Sequence, residues 1–269
     1  MNQILELFSY DFFLNAFLAA IFAAISCGII GTYIVSRRIV FISGGITHAS
    51  FGGVGIAYFM GLNPIFGAAV FGVLSALGIQ TLSRKTNIRE DSAIAILWSL
   101  GMAVGIIFIF LTPGYAPNLM SYLFGNILTV TSLDLSLLAG LSVILMLVFY
   151  LFYNVILYIA FDEDYARAHH LPVNFYSGVL MSLVALTIVF NIKVVGIILV
   201  ISLLTIPQAI AGLFSKQFKT LLFLSVGWGF IGAFVGLLVS YFVDIPSGAS
   251  IIFTLVVIYA VAKLIIPSR

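Results

Sequence analysis

The chain has 269 residues, 63% of them hydrophobic and only 7% charged, with a net charge of +2. A soluble domain carries roughly a quarter charged residues, so this composition excludes one that must cover its surface with polar groups. It places the chain among all-α integral membrane proteins with several spans. The single cysteine, Cys27, lies deep in an apolar run. It excludes an internal disulfide and a Cys-rich metal cluster, and reads as a small buried apolar residue.

From Met1 to Asp11 there are two acidic residues, Glu6 and Asp11, and no Lys or Arg. A secretory signal needs a basic start, so the first apolar run is predicted to stay as a helix. A spanning helix takes about 20 mostly apolar residues. Nine segments qualify: Phe12–Ser36, Phe41–Met60, Ile65–Ser83, Ala93–Leu111, Leu135–Ala160, Phe175–Asn191, Val194–Phe214, Leu221–Val243 and Ala249–Ile266. Asn191-Ile192-Lys193 separates two of them thinly, which leaves a count of eight to ten open. Gly61-Leu62-Asn63-Pro64 and Asp244-Ile245-Pro246-Ser247-Gly248 read as turns. Thr112-Pro113-Gly114 opens a longer connection to Asp134. Within it, Leu119–Ile127 is apolar but too short to span, which suits a re-entrant or interfacial segment.

Lys and Arg concentrate in loops on the cytoplasmic side. With the N-terminus outside, strict alternation places Arg37, Arg38, Arg84, Lys85, Arg89, Arg167, Lys216, Lys219, Lys263 and Arg269 inside, and only Lys193 outside. The C-terminus is then cytoplasmic. The whole chain, 1–269, reads as one transmembrane domain. No G-x-x-x-x-G-K-[S/T] phosphate loop occurs, so any nucleotide engine must be another chain.

Arg37-Arg38 closes the first long run. The next run opens with glycines around a histidine: Gly44, Gly45, His48, Gly52, Gly53 and Gly55. Residues three and four apart share a helix face, so Gly44, His48, Gly52 and Gly55 form one stripe. Such a stripe admits a neighbouring backbone or lines a narrow path. An ionisable residue inside the bilayer is costly and marks a functional candidate. His48 lies about 10 Å from the inside end of its helix. It is either hydrogen-bonded between packed helices or facing a pathway. Neutral imidazole suits zinc and other transition metals.

Asp162-Glu163-Asp164-Tyr165-Ala166-Arg167-Ala168-His169-His170-Leu171-Pro172 reads as a short helix between two spans. Asp162 caps it, acidic residues fill its first turn, Arg167 and the histidines its last, and Pro172 stops it. It is either a solvated turn or a docking element. Adjacent histidines diverge on a helix, so His169 and His170 make a poor metal site. Pro207 falls inside a predicted span and should kink it. The freed carbonyl, with Thr205 and Gln208 nearby, either faces a pathway or is purely structural. Asp244 sits at an outside helix end, where it is solvated or helps collect cations. Gly101…Gly105 and Gly232…Gly236 are expected helix contacts.

Four motifs in this order resemble the permease family of ATP-driven importers for zinc, manganese and iron(II). They are Arg37-Arg38 followed by Phe41 and Ser43…His48-Ala49…Gly53-Val54; Phe161-Asp162…Tyr165-Ala166-Arg167-Ala168…Leu171-Pro172; Val195-Gly196-Ile197…Leu199-Val200…Leu203-Leu204…Pro207…Ala209…Ala211; and Asp244-Ile245-Pro246-Ser247-Gly248-Ala249. The resemblance implies a bacterial inner-membrane transport subunit with no enzymatic activity of its own. It implies a homodimer in the bilayer, two cytoplasmic ATP-binding subunits and an extracytoplasmic metal-binding protein, with no nucleic-acid partner. No cofactor is held permanently; the metal is cargo, and nitrogen ligands favour Zn2+ over Mn2+, with Fe2+ also within the family.

In this resemblance His48 faces the translocation path, with Ser43, Thr47 and Asp244 as further pathway candidates. Asp162, Tyr165, Ala166, Arg167, Ala168 and His170 couple to the ATPase. The family often carries aspartate where this chain has Gly44, and glycine where it has His170. A self-sufficient carrier or channel is the alternative, although such proteins usually keep several ionisable residues in the membrane. An intramembrane metalloenzyme wants a cluster such as H-E-x-x-H, which the sequence lacks.

Overall fold

The computed structural model describes residues 10–86, 88–113 and 127–266. Among these residues there are helices and no strands. In chain order they are α1 (Asp11–Ser36), α2 (Phe41–Phe59), α3 (Pro64–Thr86), α4 (Glu90–Leu111), a 3-10 turn (Ile127–Thr129), α5 (Ser132–Leu151), α6 (Tyr153–Phe161), α7 (Glu163–Ala168), α8 (Val173–Val195), α9 (Ile197–Leu203), α10 (Ile206–Phe214), α11 (Phe218–Val243) and α12 (Ser247–Ile265). Eight helical segments are long and apolar enough to cross a bilayer, with 197–214 counted as one. The predicted apolar segment 119–126 lies outside the described residues.

The ninth predicted span, α2, has 19 residues, enough to cross, but is not apolar enough to rank with the other eight. Its packing explains why. α2 lies against α3, α4 and α8, so it needs little lipid-compatible surface. A Cβ on Gly52 would stand 2.9 Å from the Gly101 carbonyl oxygen, and one on Gly55 would stand 2.8 Å from Gly105 Cα. Gly53 and Gly67 meet in the same way. The small residues are therefore the contact surface itself. Removing side chains lets backbones approach where water provides no drive for association. Gly232 and Gly236 do the same for α11 against Leu255 and Ile251 of α12. Both predicted glycine pairs are contacts.

Three helix ends close with a 6→1 and a 5→2 hydrogen bond around a left-handed residue. At α2 that residue is Gly61, with φ 69°. At α1 it is Arg38 (φ 60°), where Ile39 N donates to Ile34 O at 3.1 Å. At α7 it is His170 (φ 56°), where Leu171 N donates to Ala166 O at 3.2 Å.

The polar residues Asn191 and Lys193 do not interrupt a helix, as their sequence suggested. α8 runs through them to Val195, and Gly196 makes the break with φ 82° and ψ 164°, backbone angles that only glycine adopts readily. Asn191 points inward and donates from Nδ2 to Ser26 Oγ (3.0 Å) and Thr187 O (2.8 Å). Lys193 Nζ pairs with the Asp134 carboxylate. Polar groups whose donors are paired inside the protein do not need a loop. The predicted span 135–160 is likewise divided, at Phe152 between α5 and α6.

Pro207 sits in the first turn of α10, and the span breaks at Leu204-Thr205 just before it. Proline deprives the carbonyl four residues earlier, Leu203, of its donor. Gln208 Nε2 supplies one at 3.2 Å and also reaches Cys27 O of α1 at 3.0 Å. The kink is thus a structural joint between α10 and α1, and the freed carbonyl is not open to a pathway.

Candidate metal pathway and coupling end

His48 lies on the open edge of α2. Ile46, Thr47, Ala49 and Ser50 around it are buried, whereas His48 and Gly44, one turn apart, are half-buried and Phe41 is exposed. The imidazole lies flat on the Trp98 indole of α4, with centroids 4.3 Å apart and planes 3° from parallel. Stacking fixes the ring plane and leaves the edge nitrogens for hydrogen bonds or metal. A Cβ added at Gly44 would meet nothing within 4 Å. The edge is therefore open at Gly44, with one imidazole beside it. Trp98 gave no sign in the sequence, since an aromatic in an apolar run is ordinary. It is placed here only because Gly101 and Gly105 bring α4 onto α2.

Ser43 and Thr47 occupy a different face. Both are almost fully buried. Ser43 Oγ donates back to Val40 O at 2.7 Å, and Thr47 faces a small pocket with Ser50, Val189 and Lys193. Asp244 is not brought to His48 either. It ends α11, which packs on α1, α10 and α12, and it takes the left-handed position of that turn at φ 57°. Asp tolerates that conformation better than most residues. Among the described residues no three His, Cys, Asp or Glu side chains converge on one point.

The predicted short helix is present as α7. Asp162 Oδ1 accepts from Tyr165 N at 2.9 Å and caps it. Ala166 is buried, while Tyr165, Arg167, Ala168 and His170 are exposed. His169 donates from Nδ1 to Tyr165 O at 3.0 Å and packs on the Tyr165 ring, which ties up that nitrogen.

Glu163, one of the acidic residues in the first turn of α7, does more than complement the helix end. Its carboxylate receives Arg37 Nη2 at 2.7 Å and Arg84 Nη2 at 2.9 Å to each oxygen, with Arg167 Nη2 at 3.6 Å. Arg37 also reaches Tyr33 Oη at 3.1 Å, and Arg84 reaches Asn174 Oδ1 at 2.8 Å. Burial disfavours the Arg37 charge, but Tyr33, Glu163 and Glu90 outweigh it and hold its pKa above the ordinary arginine value. Partners 126 and 79 residues away carry no local sequence signal.

The pattern of the ABC 3 transport family matches residues 9–266. The chain is 40% identical to an uncharacterized membrane protein of Synechocystis over 262 residues, covering 97% of this chain and 93% of that one. It is 36% identical to the manganese transport system membrane protein MntC of Halalkalibacterium halodurans, covering 98% of this chain and 90% of that one. Among solved structures it is similar to PsaBC from Streptococcus pneumoniae in complex with Fab, with a TM-score of 0.85, 33% identity, and coverage of 98% and 96% of the two chains. With sequence and fold matching over nearly its whole length, the chain belongs to the ABC 3 transport family.

Proposed function

We propose that this chain is the single-domain permease of an importer for a divalent transition-metal ion, working as a homodimer in a bacterial inner membrane. In this family the membrane chain is the transport subunit and ATP is hydrolysed by a separate partner. The reading rests on one observation above others: His48 stands half-buried on the open edge of α2, plane fixed by Trp98, beside the empty space over Gly44.

A single imidazole holds a metal weakly, and a transport site must release what it binds. A second copy facing this edge contributes a second His48, which supports a transient two-nitrogen site between protomers. A closed four-ligand cage would trap zinc instead. The ATPase docks on 162–170 and drives alternating access, and an extracytoplasmic binding protein delivers the ion. Ser43 and Thr47 support α2 from behind, and Asp244 collects cations at the outer mouth.

Two observations pull the choice of metal in different directions. A relative named for manganese supports Mn2+. A lone nitrogen donor without a carboxylate at Gly44 supports Zn2+, which binds imidazole more tightly.

The test is metal accumulation in cells lacking their own zinc and manganese importers. They would express this chain with its ATPase and binding protein, beside an ATPase-dead control. ATPase-dependent gain of one metal identifies the cargo. Replacing His48 with Ala removes both nitrogens of the homodimer's site and should cut accumulation about tenfold or more, at least the effect of losing a partner of a metal ligand, while the complex still assembles. Undiminished uptake in that variant would remove His48 from the pathway.

A further inference from the structure

α7 has two faces. Asp164, Tyr165, Ala168 and His169 are exposed, whereas Ala166 is buried and Glu163 turns inward with 23% of its side chain exposed. The outward face is free to meet another protein. The inward face is fixed by the Glu163 carboxylate to two other helices. Arg37 closes α1, four residues before the start of α2, which carries His48. Arg84 belongs to the last turn of α3, and through Asn174 and Ser177 it also holds the first turns of α8. One carboxylate therefore joins α7 to the turn that launches α2, to α3 and to α8.

We propose that Glu163 is the positioning residue that transmits movement of α7 to the His48 helix, through its ion pair with Arg37. This rests on α7 being the ATPase-docking element. Arg37 and Arg84 are less than one-third exposed, so solvent screening of these pairs is incomplete. Arg37 and Arg84 share the one carboxylate, and without it the two guanidinium groups keep only the charge of Glu90 nearby, which makes no ion pair with either. Both hydrogen bonds from Arg84 and the one from Arg37 are short and directional, and charge-assisted contacts of this kind fix orientation as well as position. A displacement of α7 then moves the start of α2 with it. Glutamine at 163 keeps the size and one acceptor but loses the charge, which loosens the joint without altering the outward face.

The test uses the full complex of this chain with its ATPase in liposomes, supplied with the metal-loaded binding protein. Metal uptake and phosphate release are measured together, so that the readout is metal moved per ATP hydrolysed. In Glu163→Gln, ATP hydrolysis should continue while that ratio falls about fivefold or more, the low end of typical coupling between sites. Arg37→Gln should fall similarly, and the double variant no further, because both remove the same contact. Glu163→Asp, which keeps the charge, should recover part of the ratio.

An unchanged ratio in Glu163→Gln overturns the proposal. So do additive losses in the double variant, or uptake that declines only in step with the amount of assembled complex. If Glu163→Gln fails to assemble, Arg37→Gln decides, since it leaves α7 intact: an unchanged ratio there overturns the proposal and a lowered one supports it. A wild-type complex that hydrolyses ATP without moving any metal would overturn the importer reading instead, and this proposal with it.

Discussion

At the scale of single residues, the donor set on the open edge of α2 is sparse because one position holds glycine. Gly44 is one helical turn from His48, and a Cβ there meets no atom within 4 Å. A carboxylate fits in that space and would add an oxygen donor beside the imidazole. Mn2+ accepts carboxylate readily, while imidazole ligands favour later metals. Gly44→Asp should therefore raise Mn2+ uptake relative to Zn2+ several-fold, the effect of one added ligand. Competition uptake with both metals at equal concentration reads it directly. A ratio that stays put would mean that the ion does not pass this edge. His48 itself was legible, since a lone ionisable group among glycines stands out in any apolar run. What was not legible was which neighbours share its face: Ser43 and Thr47 are close in sequence yet buried on a different face.

Among elements, the helix ends were easier to read than the breaks inside spans. The cap and stop of α7 are local chemistry, and Asp162 and the turn at His170 both stand where composition put them. The breaks at Phe152 and Gly196 depend on tertiary partners, and so the polar group around Asn191 reads in sequence as a separator although it is a buried hydrogen-bonded contact with α1. His170 shows what a side chain costs at a left-handed position. It occupies φ 56°, where glycine is free of strain and a side chain is not. His170→Gly should stabilise the α7 turn by about 1 kcal/mol, the usual penalty for a left-handed non-glycine residue. Some of that gain is lost because glycine also loosens the unfolded chain. A rise in the thermal midpoint of the detergent-purified protein is the expected result, and a fall would show that the His170 side chain makes a stabilising contact that outweighs its backbone strain.

For the whole molecule, ion pairs stand at the two opposite ends of the bundle and differ in kind. Glu163 gathers arginines from several elements, whereas Asp134 and Lys193 form a pair that ties α5 to α8. Thr131 completes the second site by capping α5 and donating from Oγ1 to Asp134 Oδ2 at 2.7 Å. Asp134 is 5% exposed and Lys193 31%. Burying both charges costs desolvation that their attraction only partly returns, so the pair as a whole adds little stability, but removing one member strands the other. Lys193→Met should therefore destabilise the protein by about 3 kcal/mol, since it leaves a buried carboxylate with only Thr131. Adding Asp134→Asn should recover most of that loss, because the amide has no charge to desolvate and can still accept from Thr131. Denaturation of wild type, the two single variants and the double variant in mixed detergent measures the cycle. A double variant as unstable as the sum of the two singles would show that the residues act independently, and that α5 and α8 are held together by their apolar packing alone.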